Sequence, residues 1–203
     1  MEQLLEDRRG VLDAIYRRRA VRAYSQERPG DASIQALLEA AVHAPTAMHA
    51  EPWKFVVIQD KEMLKRYSER AKSMMLQEAH AHEHVDLFPG RSLQERLARL
   101  SDPTFNIFYD AGTLIVICRK AAGPFTDADC WLAAENLMLA AYAENLGTCC
   151  IGFAIPVLNA PDVKRELGIP ERGAAVAPII VGVPRGMPEP VARKPPEILR
   201  WLK

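Results

Sequence analysis

Apolar residues recur along much of the chain at spacings of three and four, the period of a helix with one buried face. Val11, Leu12, Ile15 and Tyr16 show this period near the N-terminus. Helices are predicted on this basis at about residues 3–19, from 31 or 33 to 44, 127–147 and 156–168. Gly147 is the expected stop signal of the third helix, because glycine commonly follows a helix end.

Shorter apolar segments have the composition of strands. WKFVVIQ, residues 53–59, is rich in β-branched and aromatic residues. GTLIVICRK, residues 112–120, is a continuous apolar run that suits a sheet centre covered on both faces. A short strand or turn is predicted at 148–154 and a last strand at 174–184. Together the elements predict an α+β or mixed α/β domain of about four core strands with helices on both faces.

Two segments fall outside this core. Residues from about 61 to 110 are charged and largely helical in pattern, with an interruption at LFPG, and predict a peripheral helical excursion. The tail, residues 185–203, is rich in proline and ends in ILRWLK. Because Trp201 would bury little apolar surface on a free tail, we expect the tail to pack, with a neighbouring subunit as a candidate surface.

The helix predicted at 127–147 carries apolar residues around most of its circumference. They are Leu132, Ala133, Leu137, Met138, Leu139, Ala140, Ala141 and Tyr142. Such a helix should be buried on nearly every side. A chain of 203 residues suits one domain, so this degree of burial indicates a partner subunit.

Charge and hydropathy limit the classes of partner. Lys and Arg together number 26, as do Asp and Glu, so no overall field attracts nucleic acid or an anionic membrane, and any anion must be bound locally. Charged residues near the N-terminus argue against a signal peptide. No apolar stretch approaches the roughly 20 residues of a membrane-spanning helix. These features predict a cytoplasmic protein.

Cysteines and histidines give no strong metal signal. The cysteines form no C-x-x-C pair and are interpreted as buried free thiols. His80, His82 and His84 form an alternating HAHEH. On a strand all three would share a face and could bind a metal, whereas on a helix only the first and last would do so. The surrounding charges favour a helix with a solvated polar face, and no metal site is predicted.

Motifs of several common enzyme classes are missing. No G-x-G-x-x-G follows a predicted strand. Gly147 and Gly152 have the spacing of a phosphate-binding loop, but Phe153 and Ala154 follow instead of Lys and Ser or Thr. No G-x-S-x-G nucleophile elbow is present. A dinucleotide-binding fold and a P-loop NTPase are therefore disfavoured.

Four other motifs occur in a characteristic order. They are RRRAVRAY (17–24), HAPTAMHAEPWKF (43–55), AENLMLAAYAENLGTCCIG (134–152), and VGVP (181–184) with PVARKPP (190–196). None is diagnostic alone, but in this order the four resemble the FMN-dependent nitroreductase family over almost the whole chain. The resemblance implies a three-layer α+β fold with a mixed central sheet of about four to five strands. It also implies an intertwined homodimer with active sites at the subunit interface.

The resemblance gives the arginine-rich segment a ligand. Arg18 and Arg19 match positions that hold the FMN phosphate, to which guanidinium groups form paired hydrogen bonds. Arg193, with Lys194, matches a basic position that closes on the same phosphate. Arg22 matches the residue beside N1 and O2 of the isoalloxazine ring, where negative charge collects on reduction.

Two further segments match flavin contacts. Pro45, Thr46 and Met48 fall on a loop that, in the family, reaches the flavin from the second subunit. Ile151 and Gly152 match the turn beside flavin N5, where a backbone N–H contacts the ring. Gly152 suits close approach because it has no Cβ, although an ordinary strand-end glycine is the alternative interpretation.

Three cofactor-side positions depart from the family pattern. Ala20 replaces the usual Ser, which removes a hydroxyl donor worth about 1 kcal/mol. His49 replaces Asn, and Glu51 replaces Gln. A carboxylate at Glu51 near a reduced, anionic flavin is unfavourable unless it is paired or turned away. These departures leave the details of flavin contact and the substrate preference open.

The resemblance also implies the reaction. NADH or NADPH would pass a hydride to flavin N5, and a nitroaromatic, quinone or similar acceptor would then take the electrons from the same face in a ping-pong cycle. No side chain is assigned as a proton donor. Residues 72–108 are the predicted lid and substrate wall, with a core-packing excursion that makes no substrate contact as the alternative interpretation. Two alternatives stay open: a same-fold oxidase, dehalogenase or flavin-consuming enzyme, and a non-catalytic flavin- or metal-binding dimer.

Overall fold

The predicted strands form one antiparallel sheet. In a computed structural model of the chain, which describes residues 2–81 and 93–203, the strands are β1 (Trp53–Ile58), β2 (Thr113–Arg119), β3 (Gly147–Cys150) and β4 (Ala174–Gly182). Their order is β1-β2-β4-β3, and each neighbouring pair is antiparallel. An isolated parallel bridge between Ala20 and Thr148 adds the segment after the first helix to the β3 edge.

Seven α-helices lie in the described part of the chain. They are α1 (Glu2–Arg17), α2 (Asp31–Val42), α3 (Lys61–Ala81), α4 (Leu93–Ser101), α5 (Thr126–Ala143), α6 (Ile155–Leu158) and α7 (Pro161–Glu166). The single helix predicted at 156–168 is therefore wrong. Ala160 adopts an extended conformation, φ −61° and ψ 137°, because it precedes Pro161, and the chain breaks into two short helices there.

Helix α5 ends before the glycine that was predicted to stop it. Asn145 takes the left-handed conformation, with φ 57°. The N–H of Leu146 then donates to the carbonyl of Ala141 at 2.7 Å, which closes the last turn. Asparagine tolerates this conformation better than most residues, so Gly147 is not needed as a cap and instead begins β3.

Strand β2 separates two apolar clusters, because alternate side chains of a strand point to opposite faces. Leu114, Val116 and Cys118 pack in a cluster with residues of α3, α6 and α7. Ile115 and Ile117 pack in the other cluster with residues of α2 and α5. The sheet therefore lies between two helical layers, and the predicted α+β three-layer fold is confirmed.

Three glycines form a row at one end of the sheet, named here the glycine row. Gly147 pairs with Gly182, and Gly112 directly precedes Thr113, which pairs with Val181. A Cβ would lie 2.8 Å from Val21 at Gly147, 2.7 Å from Tyr24 at Gly182 and 2.6 Å from Arg28 at Gly112. Only glycine permits this close approach, so the row seats residues 21–28 against the sheet.

Several apolar side chains remain exposed in the single chain. On α1 they are Val11, Leu12, Ile15 and Tyr16, and on α5 they are Trp131 and Leu132. Seven of the 18 residues of α5 are buried, so a single chain does not bury this helix on nearly every side as predicted. Every residue of the tail, 185–203, is exposed, although the N–H of Arg185 donates to the carbonyl of Ala23 at 3.0 Å. The packing of the tail across a subunit stays a prediction. Among the described helices, none is long and apolar enough to cross a membrane.

Candidate functional site

The arginine-rich motif at residues 17–24, named here the arginine segment, lies along the edge of β3. The bridge from Ala20 to Thr148 and the hydrogen bond from the N–H of Val21 to the carbonyl of Thr148, 2.9 Å, fix it there. Arg18 approaches Glu135 of α5, with Nε 3.9 Å from the carboxylate. Arg22 lies next to Cys149 and interacts with its thiol. The structure therefore brings Arg18, Ala20 and Arg22 together at β3.

Arg19 turns back over the end of α1. Its Nη1 donates to the carbonyls of Tyr16 at 2.7 Å and Arg18 at 2.9 Å, so its charge lies at the negative end of the helix. Its Nε is buried and has no hydrogen-bond partner in the described part of the chain. A buried donor without an acceptor costs about 1–3 kcal/mol, which an anionic oxygen beside it would relieve. Arg17, by contrast, is exposed and pairs with Asp13 at 2.8 Å.

The turn after β3 offers open space. Ile151 is buried, and its N–H donates to the carbonyl of Pro178 at 2.9 Å. Gly152 is exposed, and no atom lies within 4 Å of the position that its Cβ would take. Of the two residues matched to the flavin N5 edge, Gly152 is therefore the one that a planar ligand can approach.

Burial keeps the groups next to the arginines uncharged. Burial raises the pKa of the Cys149 thiol, although the Arg22 guanidinium opposes that rise. Burial likewise raises the pKa of the Cys150 thiol to about 11 and raises that of the Tyr24 phenol. The Tyr24 hydroxyl donates to the carbonyl of Val21 at 2.7 Å. None of these three groups is an anion at neutral pH, so they do not cancel the charge of the arginines.

Loop 45–51 contacts another part of α5. The N–H of Ala47 donates to Oδ1 of Asp129 at 3.3 Å. Glu135, the neighbour of Arg18, lies six residues further on, about 9 Å along the helix and about 120° around it. The loop and the arginine segment therefore contact different sides of α5. Among the described residues, no hydrogen bond or ion pair joins Pro45, Thr46, Met48 or His49 to Arg18, Arg19 or Arg22.

The basic tail residues also lie apart from the arginines. Arg193 and Lys194 are exposed, and among the described residues no hydrogen bond or ion pair connects them to Arg18 or Arg19. Their contact with a phosphate stays a prediction.

Glu51 is exposed, and its backbone carbonyl accepts a hydrogen bond from Nζ of Lys120 at 2.7 Å.

The predicted lid region is tied to the core in its described part. Phe108 is fully buried, so it packs in the core and does not form a substrate wall. Lys72 is also buried, and its Nζ donates to the carbonyls of Asp102 at 3.2 Å and Phe105 at 2.9 Å. Tyr109 is half-buried, with the Arg99 guanidinium 5.6 Å from its ring centre.

The histidine cluster falls partly outside the described residues. His80 lies in the last turn of α3, while His82 and His84 are in 82–92, which the structure does not describe. Elsewhere in the chain, within 2–81 and 93–203, no group of three or more His, Cys, Asp or Glu side chains could hold a metal. All four cysteines are free, and three of them are buried, as predicted.

Two carboxylates of the site could not be predicted from the sequence. Glu135 pairs with Arg18, and Asp129 holds loop 45–51. Asp129 contacts a residue 82 positions away, and a carboxylate in the first turn of a helix is already explained by the helix dipole. Only its burial, which a sequence pattern does not report, distinguishes it.

Comparison with known proteins gives a consistent result. The family model described as Nitroreductase family matches residues 15–183. A protein of Archaeoglobus fulgidus, provisionally named NADH dehydrogenase/NAD(P)H nitroreductase, is 29% identical over 175 residues, 86% of this chain and 85% of that protein. The iodotyrosine deiodinase of Thermotoga neapolitana is 25% identical over 141 residues, 68% of this chain and 71% of that protein.

The fold comparison agrees. The crystal structure of a nitroreductase with bound FMN from Bacteroides fragilis NCTC 9343 has a TM-score of 0.77 and 26% identity, and the match covers 94% of this chain and 98% of that one. The arginine segment, loop 45–51 and β3 all fall within the residues matched by the family model, whereas the tail lies beyond them.

Proposed function

Because the chain belongs to the nitroreductase family, we propose that it is an FMN-dependent oxidoreductase with NADH or NADPH as hydride donor. Its acceptor would be a nitroaromatic, a quinone or a similar electron-poor compound. The observation that carries this proposal is the buried, unpartnered Nε of Arg19, together with the neighbouring cations Arg18 and Arg22 along β3 and the open space at Gly152, just after β3. The residues present fit a phosphate joined to a planar ring.

Each group would have a distinct task. Arg18 and Arg19 would hold the phosphate, where guanidinium groups bind two oxygens at once. Arg22 would place a cation beside the part of the ring that gains charge on reduction. Gly152 would allow the backbone to lie against the ring edge. Bound FMN itself supplies N5 as the hydride acceptor, so the side chains bind and orient and do not transfer protons.

The exposed surfaces support a homodimer as part of this proposal. The apolar residues of α1 and of α5 that remain exposed would be covered by a second copy. Loop 45–51 of one chain would then complete the site at the arginines of the other. Arg193 and Lys194, on the exposed tail, would close on the same phosphate.

A second candidate keeps the cofactor and changes the reaction. Similarity to the iodotyrosine deiodinase of Thermotoga neapolitana favours reductive dehalogenation of a halogenated phenol. This candidate predicts slow or no steady-state turnover of NADH or NADPH with a nitroaromatic or quinone. It also predicts halide release from a halophenol when the flavin is supplied in reduced form.

The visible absorption spectrum of the purified protein tests the proposal first. We expect flavin bands after FMN is added and the protein is desalted, and we expect NADH or NADPH to bleach them without oxygen. Steady-state oxidation with nitrofurazone or menadione then identifies an acceptor class. Bands that persist with both donors would favour the second candidate. A protein that retains no flavin would contradict both candidates.

Riboflavin provides a sharper test of the arginines, because it lacks the phosphate of FMN. Arg19→Gln should raise the Kd for FMN about tenfold or more and leave the Kd for riboflavin nearly unchanged. Arg17→Gln is the matched control, since Arg17 is exposed and paired with Asp13. If the Arg19 variant loses affinity for FMN and for riboflavin equally, the Arg19 side chain does not contact the phosphate.

A further inference from the structure

A buried carboxylate holds an exposed loop to α5. Asp129 is only 4% exposed, and its Oδ1 accepts the hydrogen bond from the N–H of Ala47 at 3.3 Å. Burying a carboxylate is unfavourable unless hydrogen bonds compensate for the lost water. The first turn of α5 supplies part of that compensation through its dipole, and loop 45–51 supplies the recorded hydrogen bond. The carboxylate and the loop backbone therefore depend on each other.

The loop has an unusual backbone. Met48, His49 and Glu51 have φ values of 55°, 52° and 41°, in the left-handed region that non-glycine residues rarely adopt. Such conformations persist when the surrounding structure enforces them, and they concentrate at functional sites. Here the enforcing contacts are identifiable. Besides Asp129, they are the Thr46 hydroxyl, which accepts from the N–H of Glu51 at 3.5 Å, and Nζ of Lys120.

The left-handed residues Met48 and His49 do not pack into the core of their own chain. The Met48 side chain is 96% exposed, and His49 is exposed as well. A loop that is held in a strained shape and turns its side chains outwards is arranged to contact something beyond the chain.

We propose that Asp129 is a positioning residue that fixes loop 45–51 in the shape that covers the flavin bound by a second chain. This inference rests on the proposed function, because loop 45–51 matches the segment that reaches the flavin across the dimer in the nitroreductase family. In this role, Asp129 touches neither flavin nor substrate. It acts through the N–H of Ala47, so that the loop is ordered before the cofactor binds and binding does not have to order it.

Two substitutions and a matched control test this role. Asp129→Ala removes the acceptor, and Asp129→Asn keeps an acceptor oxygen of similar shape but removes the charge. Asp127→Asn is the control, because Asp127 lies in the same turn of α5 but is exposed and pairs with Arg119. The control therefore removes the same charge from the same helix end. Hydrogen exchange of loop 45–51 in the flavin-free dimer and the Kd for FMN are measured for each variant.

We expect Asp129→Ala to speed amide exchange in loop 45–51 and to raise the Kd for FMN about tenfold or more, as loss of a charged hydrogen bond would. Asp129→Asn should fall between wild type and Asp129→Ala, and Asp127→Asn should match wild type. Thermal unfolding and dimer mass are recorded in parallel. If the alanine variant does not fold, the asparagine variant carries the test.

Three results would overturn the inference. One is that both Asp129 variants keep the wild-type amide exchange rate in loop 45–51 and the wild-type Kd for FMN. Another is an equal change in Asp127→Asn, which would assign the effect to helix charge. The third is a wild-type protein that takes up no FMN, which removes the proposed function as well. The first two leave the proposed function intact, so the two failures are distinguishable.

Discussion

Three consecutive arginines, Arg17, Arg18 and Arg19, lie in three different environments. The first is exposed and paired with Asp13, the second is partly buried beside Glu135, and the third has a buried Nε without a partner. Sequence alone gives all three the same charge and the same favourable position at a helix end. Their surroundings separate a surface residue from two candidate ligand contacts.

Arg22 should control the reduction potential of the bound flavin. A cation beside the ring stabilises the reduced, more negative form, so Arg22→Gln should lower the potential. A loss of about 1.4 kcal/mol corresponds to about 30 mV for a two-electron couple. Equilibration with a reference dye during slow anaerobic reduction measures the shift. Arg17→Gln serves as control, and an equal potential in the two variants would place Arg22 away from the ring.

The residues of the site differ in how far sequence could predict them. The order of motifs pointed to Arg18, Arg22 and Gly152, and the structure places these around β3. Glu135 and Asp129 were not predicted, because their roles depend on contacts between distant segments. Phe108 was predicted as a substrate wall, but its aromatic type alone does not distinguish a ligand contact from a core residue.

At the scale of elements, the glycine row determines where the arginine segment lies. Residues 21–28 approach three strands so closely that a Cβ at any of the three glycines would lie within 2.8 Å of another atom. Strands β1, β2 and β4 were predicted within about two residues at each end, because apolar runs report burial. Their order in the sheet and the contact with residues 21–28 were not predicted, since both depend on pairing between distant segments.

Gly147→Ala should displace the arginine segment. Its Cβ would lie 2.8 Å from three side-chain atoms of Val21, and the overpacking should cost about 1–3 kcal/mol of unfolding free energy. The Kd for FMN should rise as well, because Arg18 and Arg22 move with Val21. Urea unfolding and flavin titration measure the two effects. Gly10→Ala is the control, since nothing lies within 4 Å of that Cβ. An unchanged Kd would show that the position of the arginines does not depend on the contact between Val21 and Gly147.

The contact between α3 and α7 should weaken in acid. Hydrogen bonds from the Arg70 guanidinium, at 2.5 and 2.9 Å, lower the pKa of Asp162 to about 2. The Tyr67 hydroxyl and Arg66 likewise lower the pKa of Glu166. A carboxyl group whose pKa is lower in the folded state stabilises the fold above its ordinary pKa and loses that contribution as the pH falls through the folded value.

Arg70→Gln tests this sign. The difference in urea midpoint between wild type and variant should be largest above about pH 5 and should shrink as the pH falls towards the lowered pKa of Asp162. Because the pair is solvent-exposed, the difference should be small and should decrease with added salt. A difference that stays constant from pH 6 to pH 3 would mean that the lowered pKa does not contribute to stability.

At the scale of the molecule, a single chain leaves many apolar side chains exposed to solvent. Apolar residues of α1 and α5 are exposed, and so are the tail residues Leu199, Trp201 and Leu202. The apolar circumference of α5 in the sequence predicts a partner subunit. In the structure, the exposed apolar residues of α1 add a second surface that a partner subunit could cover. The sequence alone could not predict this, because an amphipathic helix can face its own core or a second chain.

In the proposed dimer, the exposed apolar face of α1 lies between the chains, so Ile15→Glu should favour the monomer and reduce the retention of FMN. A charge in the centre of an apolar contact between chains costs far more than the same charge in water. Light scattering after size exclusion measures the mass, and the absorption ratio of flavin to protein measures retention. Val57→Glu is the control, because Val57 is exposed on β1, at the opposite sheet edge from β3. A dimeric Ile15→Glu protein would place the interface elsewhere.

The separation of loop 45–51 from the arginine segment has a genetic consequence. A chain with Asp129→Ala and a chain with Arg19→Gln would each be defective, but in different halves of the site. When both are expressed in one cell, a mixed dimer would combine one wholly damaged site with one whose two halves are both wild type. Two defective alleles should therefore complement each other when FMN is limiting, to at most half the activity of a wild-type dimer. Two alleles damaged in the same half should not.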